Sequence, residues 1–297
     1  MNAHDHHNSA TTGLAAGIFA YIMWGLFPIY FKLTEQVPPV EILAHRIAWS
    51  VPFGALIIHF RHQWSDIRAI FTNMRTLGVL ALAALFIALN WGLYIWAIQD
   101  GQIFQASLGY YINPLIFVLI GVVFLNEHLS RLKLVAVIFA AIGVGVLTFY
   151  GGKFPWISLS LAISFTAYGV IRKKIAVGAM PGLFVETLIL FLPAIAVLFW
   201  IQSHNQLVFL HTSNKLSTLL ILAGPITVLP LVAFAFAARR LKLSTIGFLQ
   251  FIGPSLQFLM GVLYGEKLTL AYLLCFGFIW LAVILFSWDA LRSRKTA

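Results

Sequence analysis

Long runs of apolar residues, separated by short polar connectors, make up nearly all of the chain from residue 13 onward. Each run holds about 20 residues, which is the length an α-helix needs to cross the hydrocarbon core of a bilayer. The pattern therefore predicts an all-α integral membrane protein with ten transmembrane helices. The predicted spans lie near residues 13–33, 41–60, 75–98, 104–125, 130–149, 154–171, 182–202, 217–238, 244–264 and 268–287.

The second half of the chain repeats the first. Residues 106–147 and 244–285 share glycine, proline, glutamate and leucine positions at a spacing near 139 residues. The matched pairs are Gly109 with Gly247, Pro114 with Pro254, Gly121 with Gly261, Glu127 with Glu266, and Leu129 with Leu268. Ten spans divide into two sets of five, and because five is odd the second set is inverted relative to the first. Two inverted five-helix repeats are the build of many secondary transporters.

Basic residues define the predicted orientation. Fourteen of the nineteen Lys and Arg side chains fall in connectors and tails on one side of the membrane, four fall on the other side, and Arg46 lies within span two. Since cytoplasmic connectors are enriched in Lys and Arg, both termini are predicted to be cytoplasmic. The predicted parts are a polar N-terminal tail over 1–12, a first repeat over 13–149, a second repeat over 150–287 and a basic C-terminal tail over 288–297.

Composition narrows the class of protein. The chain is 61% hydrophobic and 9% charged, whereas soluble domains hold about 25% charged residues, so a soluble protein is excluded. The net charge of +10 is explained by cations that face anionic lipid headgroups, and no nucleic-acid partner is predicted. One cysteine, Cys275, provides neither a disulfide framework nor a metal cluster. The chain lacks the GxxxxGK[ST], HExxH, CxxC and GxSxG motifs, so we predict no cofactor, no metal and no enzyme.

Polar and aromatic side chains within the spans predict a central binding site. The candidate substrate-binding residues are Trp24, Asn90, Trp91, Tyr94, Tyr110, Asn113 and Gln250. Pro114 and Pro254 lie at matched depth, and each frees the backbone carbonyl four residues upstream, which lines a cavity or finds another partner. Gln250 and Gln257 flank Pro254. The alternative is that these amides join one helix to another.

Ionisable residues within the spans are the candidates for gating or coupling. A charged side chain costs about 2.5–3.5 kcal/mol at the centre of a membrane on insertion scales. These candidates are Lys32, His45, Arg46 and Glu186. Arg46 is predicted to attract an anionic substrate group, and Glu186 to couple a proton or gate the inner side. The alternative for Lys32 is an anchor at the lipid headgroups. His45 and Arg46 could instead extend to the outer headgroups or pair with Glu41 or Asp100. Glu186 could instead pair with Arg172 or Lys173.

Several motifs resemble the EamA family of the drug/metabolite transporter superfamily. They are Tyr94 with Ala97, Ala106-Ser107, Pro114, Glu127 and Gly143. The stretches at 24–32, 41–50 and 106–115, with the Glu186-Thr187 pair, narrow the resemblance to a subgroup known through chloramphenicol sensitivity. The resemblance covers essentially the whole chain and implies a ten-helix permease of the bacterial inner membrane. Val232 stands where the repeat would place a partner of Tyr94, so the halves differ in function.

The expected function is secondary transport. We predict a permease that moves a small organic metabolite or drug-like solute by alternating access. Its binding site is expected near spans 1, 3, 4, 6, 8 and 9, and this choice of spans rests partly on the resemblance. Expected partners are the solute and membrane lipids; protons and a homodimer partner stay open. The alternatives are a non-transporting membrane protein, which the lack of a soluble domain disfavours, and an intramembrane enzyme on lipid-linked substrates, which lacks a nucleophile–base pair.

Overall fold

A computed structural model describes residues 3–125, 130–241 and 243–292, and all regular secondary structure within those ranges is helical. A π-helical turn, Val146–Tyr150, continues the seventh helix. The matched residues Glu127 and Leu129 lie outside the described ranges. The helices are α1 Ala3–Gly25, α2 Phe27–Leu33, α3 Pro39–Phe60, α4 Trp64–Phe71, α5 Met74–Gln99, α6 Ile103–Leu125, α7 Arg131–Gly145, α8 Trp156–Lys173, α9 Ala179–Ser203, α10 Asn214–Ala238, α11 Leu243–Leu249, α12 Ile252–Leu263 and α13 Leu270–Arg292.

Eight helical segments of the described chain are long and apolar enough to cross a membrane. They are α1 with α2, α3, α5, α7 with its π-turn, α9, α10, α11 with α12, and α13. The chain is therefore a multi-pass membrane protein. Helices α6 and α8 occupy the other two predicted positions but are not among the eight, so the count of ten remains a prediction. Helix α8 has 18 residues and turns the polar side chains of Ser158 and Thr166 into the protein.

Seven helical segments pack side by side in a closed ring, which we call the helix ring. Its order is α1, α12, α6, α8, α5, α3, α10 and back to α1. Helix α9 packs against α3 and α5, while α7 and α13 form a pair that touches α6. This pair is tight because a Cβ on Gly143 would lie 3.0 Å from the backbone oxygen of Cys275. The ring combines helices from both predicted repeats.

Two helices of the ring are interrupted, and the interruptions face each other. The first lies at Leu26 between α1 and α2, where Pro28 has no N–H to offer the Trp24 carbonyl. The second lies at residues 250–251 between α11 and α12, just before Pro254. A Cβ on Gly25 would lie 2.7 Å from Leu256 Cβ and 3.1 Å from the Gly253 oxygen, so glycine is favoured where the two breaks approach. Helix α6, by contrast, continues through Pro114.

The parts between the spans differ in two places from the predicted pattern. Helix α1 begins at Ala3, so the residues predicted as a polar tail continue the first span as a helix. The connector at 61–74 contains the short amphipathic helix α4, which buries Ile67 and Ile70 and contacts α5 and α9. An eight-residue amphipathic helix is too short to leave a distinct signal in a hydropathy pattern.

Candidate functional site

Arg46 brings a charge into the interior of the helix ring. Its side chain is on α3 and the residue is only 5% exposed. Its Nε donates a hydrogen bond of 2.7 Å to Thr227 Oγ1 on α10, and its Cζ lies 4.2 Å from the Trp91 ring centroid. The guanidinium stays protonated in proteins and is attracted to the faces of aromatic rings. Among the residues that the structure describes, no carboxylate lies within ion-pair distance of it.

Tyrosine side chains surround this cation. Tyr30, Tyr94 and Tyr110 lie within electrostatic reach of Arg46. The rings of Tyr94 and Tyr110 meet edge to face with their centroids 5.6 Å apart. The Tyr94 hydroxyl is buried within hydrogen-bonding reach of Gln257, while the Tyr110 hydroxyl donates to Asn90 Oδ1 at 3.3 Å. The site thus has aromatic walls and buried hydroxyl groups near a cation.

The two predicted asparagines bind α8. Asn90 Nδ2 donates to the Leu161 carbonyl at 2.9 Å and to Ser164 Oγ at 3.0 Å. Asn113 Oδ1 accepts a hydrogen bond of 2.6 Å from Thr166 Oγ1. Both amides therefore link helices of the predicted first repeat to α8 of the predicted second repeat. These bonds correspond to the helix–helix alternative for the amides, and the structure leaves the binding role of these residues a prediction.

The helix interruption near Trp24 is bridged by a side chain of α12. Gln257 Nε2 donates at 3.3 Å to the Trp24 carbonyl, which Pro28 leaves without a partner in its own helix. The Trp24 ring packs against Phe234 with the centroids 5.7 Å apart. Gln250 is half-buried at the second interruption. A polar side chain of α12 thereby satisfies a backbone group of α1.

The matched prolines differ in their surroundings. The Pro254 carbonyl accepts a hydrogen bond of 2.8 Å from Ser107 Oγ on α6, and Pro254 is buried next to the interruption of its own span. Pro114 lies inside the uninterrupted α6. The two prolines occupy matched positions in the sequence, but the helix is interrupted next to Pro254 and continuous at Pro114.

His45 and Lys32 face the connectors rather than the ring interior. The His45 ring lies 4.6 Å from that of Phe209, and its Nε2 is 3.8 Å from a Glu41 oxygen. The Glu41 carboxylate accepts hydrogen bonds of 2.9–3.1 Å from the backbone N–H groups of Val208 and Phe209. Lys32 Nζ lies 3.6 Å from Glu35. Neighbouring helical residues point about 100° apart, which explains why His45 and Arg46 face different surroundings.

Glu186 has two partners on α8. Its Oε1 lies 3.4 Å from Arg172 Nε, and its Oε2 accepts a hydrogen bond of 3.2 Å from the Tyr168 hydroxyl. Arg172 reaches the carboxylate by lying directly over Gly182, where any Cβ would collide with the guanidinium. This ion pair joins α8 to α9, and it is the alternative that the sequence allowed for Glu186. A coupling role for Glu186 remains a prediction.

Hydroxyl groups on α8 and α10 that bond to the candidate residues were not predicted from the sequence. Thr227, Ser164 and Thr166 provide partners for Arg46, Asn90 and Asn113. A hydroxyl can bond to its own helix backbone, as Thr227 does to the Ala223 carbonyl, so it costs little at membrane depth. Such residues therefore do not stand out in a hydropathy pattern. Partner choice depends on the packing of helices that lie far apart in sequence.

A ring of helices around a polar and aromatic interior is the arrangement of a membrane transporter. The sequence profile of the EamA-like transporter family matches residues 11–149. An uncharacterized transporter of Vibrio cholerae is 45% identical over 97% of this chain and 96% of its own length. Protein RarD of Escherichia coli K12 is 42% identical over 95% of this chain and 96% of its own length.

The chain belongs to the EamA-like transporter family, as one of its RarD-type permeases. A solved crystal structure covers 93% of this chain and 97% of its own with a TM-score of 0.60 and 18% identity. At that identity the likeness bears on the fold alone.

Proposed function

We propose that this protein is a secondary active transporter of a small organic solute across the bacterial inner membrane. It works by alternating access of two inverted five-helix repeats that together supply ten spans, with both termini in the cytoplasm. The single observation that carries the proposal is the helix ring, in which both repeats enclose Arg46 and its aromatic walls. Transporter sites lie at such repeat interfaces near the bilayer midplane.

The hydrogen bonds of the ring interior cross from one repeat to the other. Arg46 binds Thr227, Asn90 binds Ser164, and Gln257 binds the Trp24 carbonyl. Each bond joins two rigid helices and can break when the repeats rock against each other. This arrangement supports alternating access, because the groups that hold the site are also the groups that a rocking motion would exchange.

One end of the ring is held shut by contacts between the repeats. We call the contact of Glu41 with the backbone of Val208 and Phe209 the outer latch, since the charge distribution puts it outside. On the same side, Glu266 Oε2 accepts a hydrogen bond of 2.9 Å from the Phe104 N–H, and the Tyr30 hydroxyl donates to the Leu219 carbonyl at 2.9 Å.

The other end is less tightly packed. Every residue at 167–172 of α8 and at 231–234 of α10 is partly exposed, whereas the opposite end of α8 buries Ile157 and Leu161 completely. This difference supports a conformation closed on the outer side and accessible from the cytoplasm. The Arg172–Glu186 pair stands near that cytoplasmic end and is the candidate for inner gating or proton coupling.

Reciprocal accessibility of engineered cysteines tests the proposal without a known substrate. In proteoliposomes of a Cys275→Ala background, Leu219→Cys reports on the outer end of α10 and Val232→Cys on its inner end. Removing the latch oxygens with Glu41→Ala should raise the labelling of Leu219→Cys by a membrane-impermeant maleimide several-fold and lower that of Val232→Cys.

The lipid-facing Leu229→Cys, on the same helix, is the matched control and should stay unlabelled in both backgrounds, because its side chain is exposed on the bilayer surface of α10. A rise in labelling at both Leu219→Cys and Val232→Cys would indicate a continuous pore and contradict alternating access. A change in labelling at Leu219→Cys alone would show that Glu41 affects only its own surroundings, which would contradict its role as a latch.

A further inference from the structure

We infer, on the basis of the proposed transport function, that the solute is a small organic monocarboxylate whose carboxylate binds Arg46 inside the helix ring. The observations that carry this are the unused donors of Arg46, the number of charges in the site and the nature of its walls.

Most hydrogen-bonding capacity of Arg46 is unused. A guanidinium has five N–H donors, and within the described chain one of them, on Nε, is bonded, to Thr227 Oγ1. Burying a cation without a counter-charge costs free energy, so the stability of the fold alone does not explain an arginine at this position. A carboxylate accepts two parallel hydrogen bonds from the guanidinium fork and supplies the missing charge.

The charge count selects a monoanion. Lys32 and His45, the nearest basic side chains in sequence, contact Glu35 and the Phe209 ring instead of the ring interior. Arg46 therefore faces the solute as one positive charge. A carboxylate or another singly charged oxyanion neutralises it, whereas a phosphate monoester would bury one extra negative charge. Of these, the carboxylate best matches the planar fork of Arg46.

The surroundings of the guanidinium define the rest of the solute. Trp91 and Phe27 lie 4.2 Å and 5.4 Å from Arg46 Cζ, measured to their ring centroids. Tyr94 adds a ring and a buried hydroxyl, within reach of Gln257, that can donate to the second carboxylate oxygen. A solute with an aromatic or branched apolar body fits such walls, since these surfaces offer few polar groups to a hydrophilic one.

Matched acid and amide pairs test the inference. Melting temperatures of the purified full chain are measured at pH 8 with benzoate, phenylacetate and 3-methylbutanoate, each against its amide, and with phenylphosphonate as the dianion. We expect at least one of the three carboxylates to raise the melting temperature with increasing concentration, and its amide and phenylphosphonate to do so at least tenfold less potently.

Variants of Arg46 connect that binding to the site. Arg46→Gln should weaken carboxylate binding at least tenfold, Arg46→Lys should retain part of it because the charge remains, and the exposed Arg68→Gln should bind as the unmodified chain does. The partial recovery in Arg46→Lys separates a lost contact from a misfolded protein.

Equal stabilisation by acid and amide, no stabilisation by any of the three acids, or full acid binding in Arg46→Gln would each overturn the inference. The cysteine labelling of α10 does not depend on these ligands. Reciprocal labelling with no binding of any of the acids would contradict the substrate class but not the transport function. Acid binding without reciprocal labelling would contradict the transport mechanism alone.

Discussion

Arg46 is buried without a counter-charge among the described residues, so its contribution to folding does not explain its presence. Its side chain is buried among Phe27, Trp91 and three tyrosines, and a single threonine hydroxyl accepts from it within the described chain. The sequence identifies the position because a charge within an apolar run is conspicuous. It does not identify Thr227 as the partner, because a hydroxyl on a helix 181 residues away carries no signal of its own.

Replacing Arg46 by methionine should stabilise the solute-free protein. The substitution keeps an unbranched chain of similar length and removes a buried, uncompensated charge, a change that is worth about 1–4 kcal/mol where it is favourable. Thr227 is not left unsatisfied, since its own hydroxyl already donates to the Ala223 carbonyl.

The check is the melting temperature of Arg46→Met beside that of Arg68→Met, in which an exposed cation is lost from α4. A higher value for Arg46→Met alone is expected. A clear decrease for Arg46→Met would assign Arg46 to holding the helices together rather than to binding a solute.

The pair of interrupted spans is the feature of the elements that most affects the site. Pro254 could be predicted to disturb its helix, and the carbonyl that a proline frees follows from counting four residues back. By the same count Pro28 frees the Trp24 carbonyl, and which group then binds it could not be predicted, because Gln257 reaches Trp24 only after two helices far apart in sequence have packed. The interruption of the first span near Pro28 was not predicted from the sequence.

Gly25→Ala should destabilise the protein by about 1–3 kcal/mol, the usual cost of overpacking. A Cβ there would lie 2.7 Å from Leu256 Cβ and 3.1 Å from the Gly253 oxygen, and the latter is backbone that cannot rotate away. Thermal unfolding measures the effect, with Gly277→Ala on α13 as the control because nothing lies within 4 Å of its added carbon. Equal melting temperatures for the two variants would mean that α1 and α12 do not approach as described.

The connector between α12 and α13 should make stability depend on pH. Burial raises the pKa of Glu266 to about 7, against the opposing effects of the Phe104 and Ile103 N–H groups, Lys153 and Lys32. Because the folded state keeps this proton to a higher pH than the unfolded state does, the associated stability is present at acidic pH and is lost as the pH rises through 7.

Melting temperatures measured from pH 5 to 8 should therefore fall up to about pH 7 and level off above it, and Glu266→Gln should flatten this fall because the amide cannot ionise. The amide also leaves the Phe104 N–H with an oxygen to donate to. An identical pH profile in Glu266→Gln would show that another group titrates in this range.

At the scale of the whole molecule, hydropathy and composition predicted a helical membrane protein, and the family membership was also recognisable from the sequence. Eight spans meet the membrane criteria within the described residues, while the ten-span topology, the inverted repeats and the orientation remain proposals. The outer latch of Glu41 could not be predicted, because both conformations of an alternating-access transporter share one hydropathy pattern. Only the packed structure distinguishes a closed end from an accessible one.

Counterflow in proteoliposomes tests whether the protein is a carrier that binds its solute at Arg46. Vesicles loaded with the unlabelled carboxylate that best stabilises the protein are diluted into a trace of the same compound carrying a radioactive label, at pH 8. We expect a transient accumulation of label that requires the internal carboxylate, saturates with concentration and disappears in Arg46→Gln but not in Arg68→Gln. Uptake that rises in proportion to concentration, or that is the same in Arg46→Gln vesicles, would contradict a carrier with its site at Arg46.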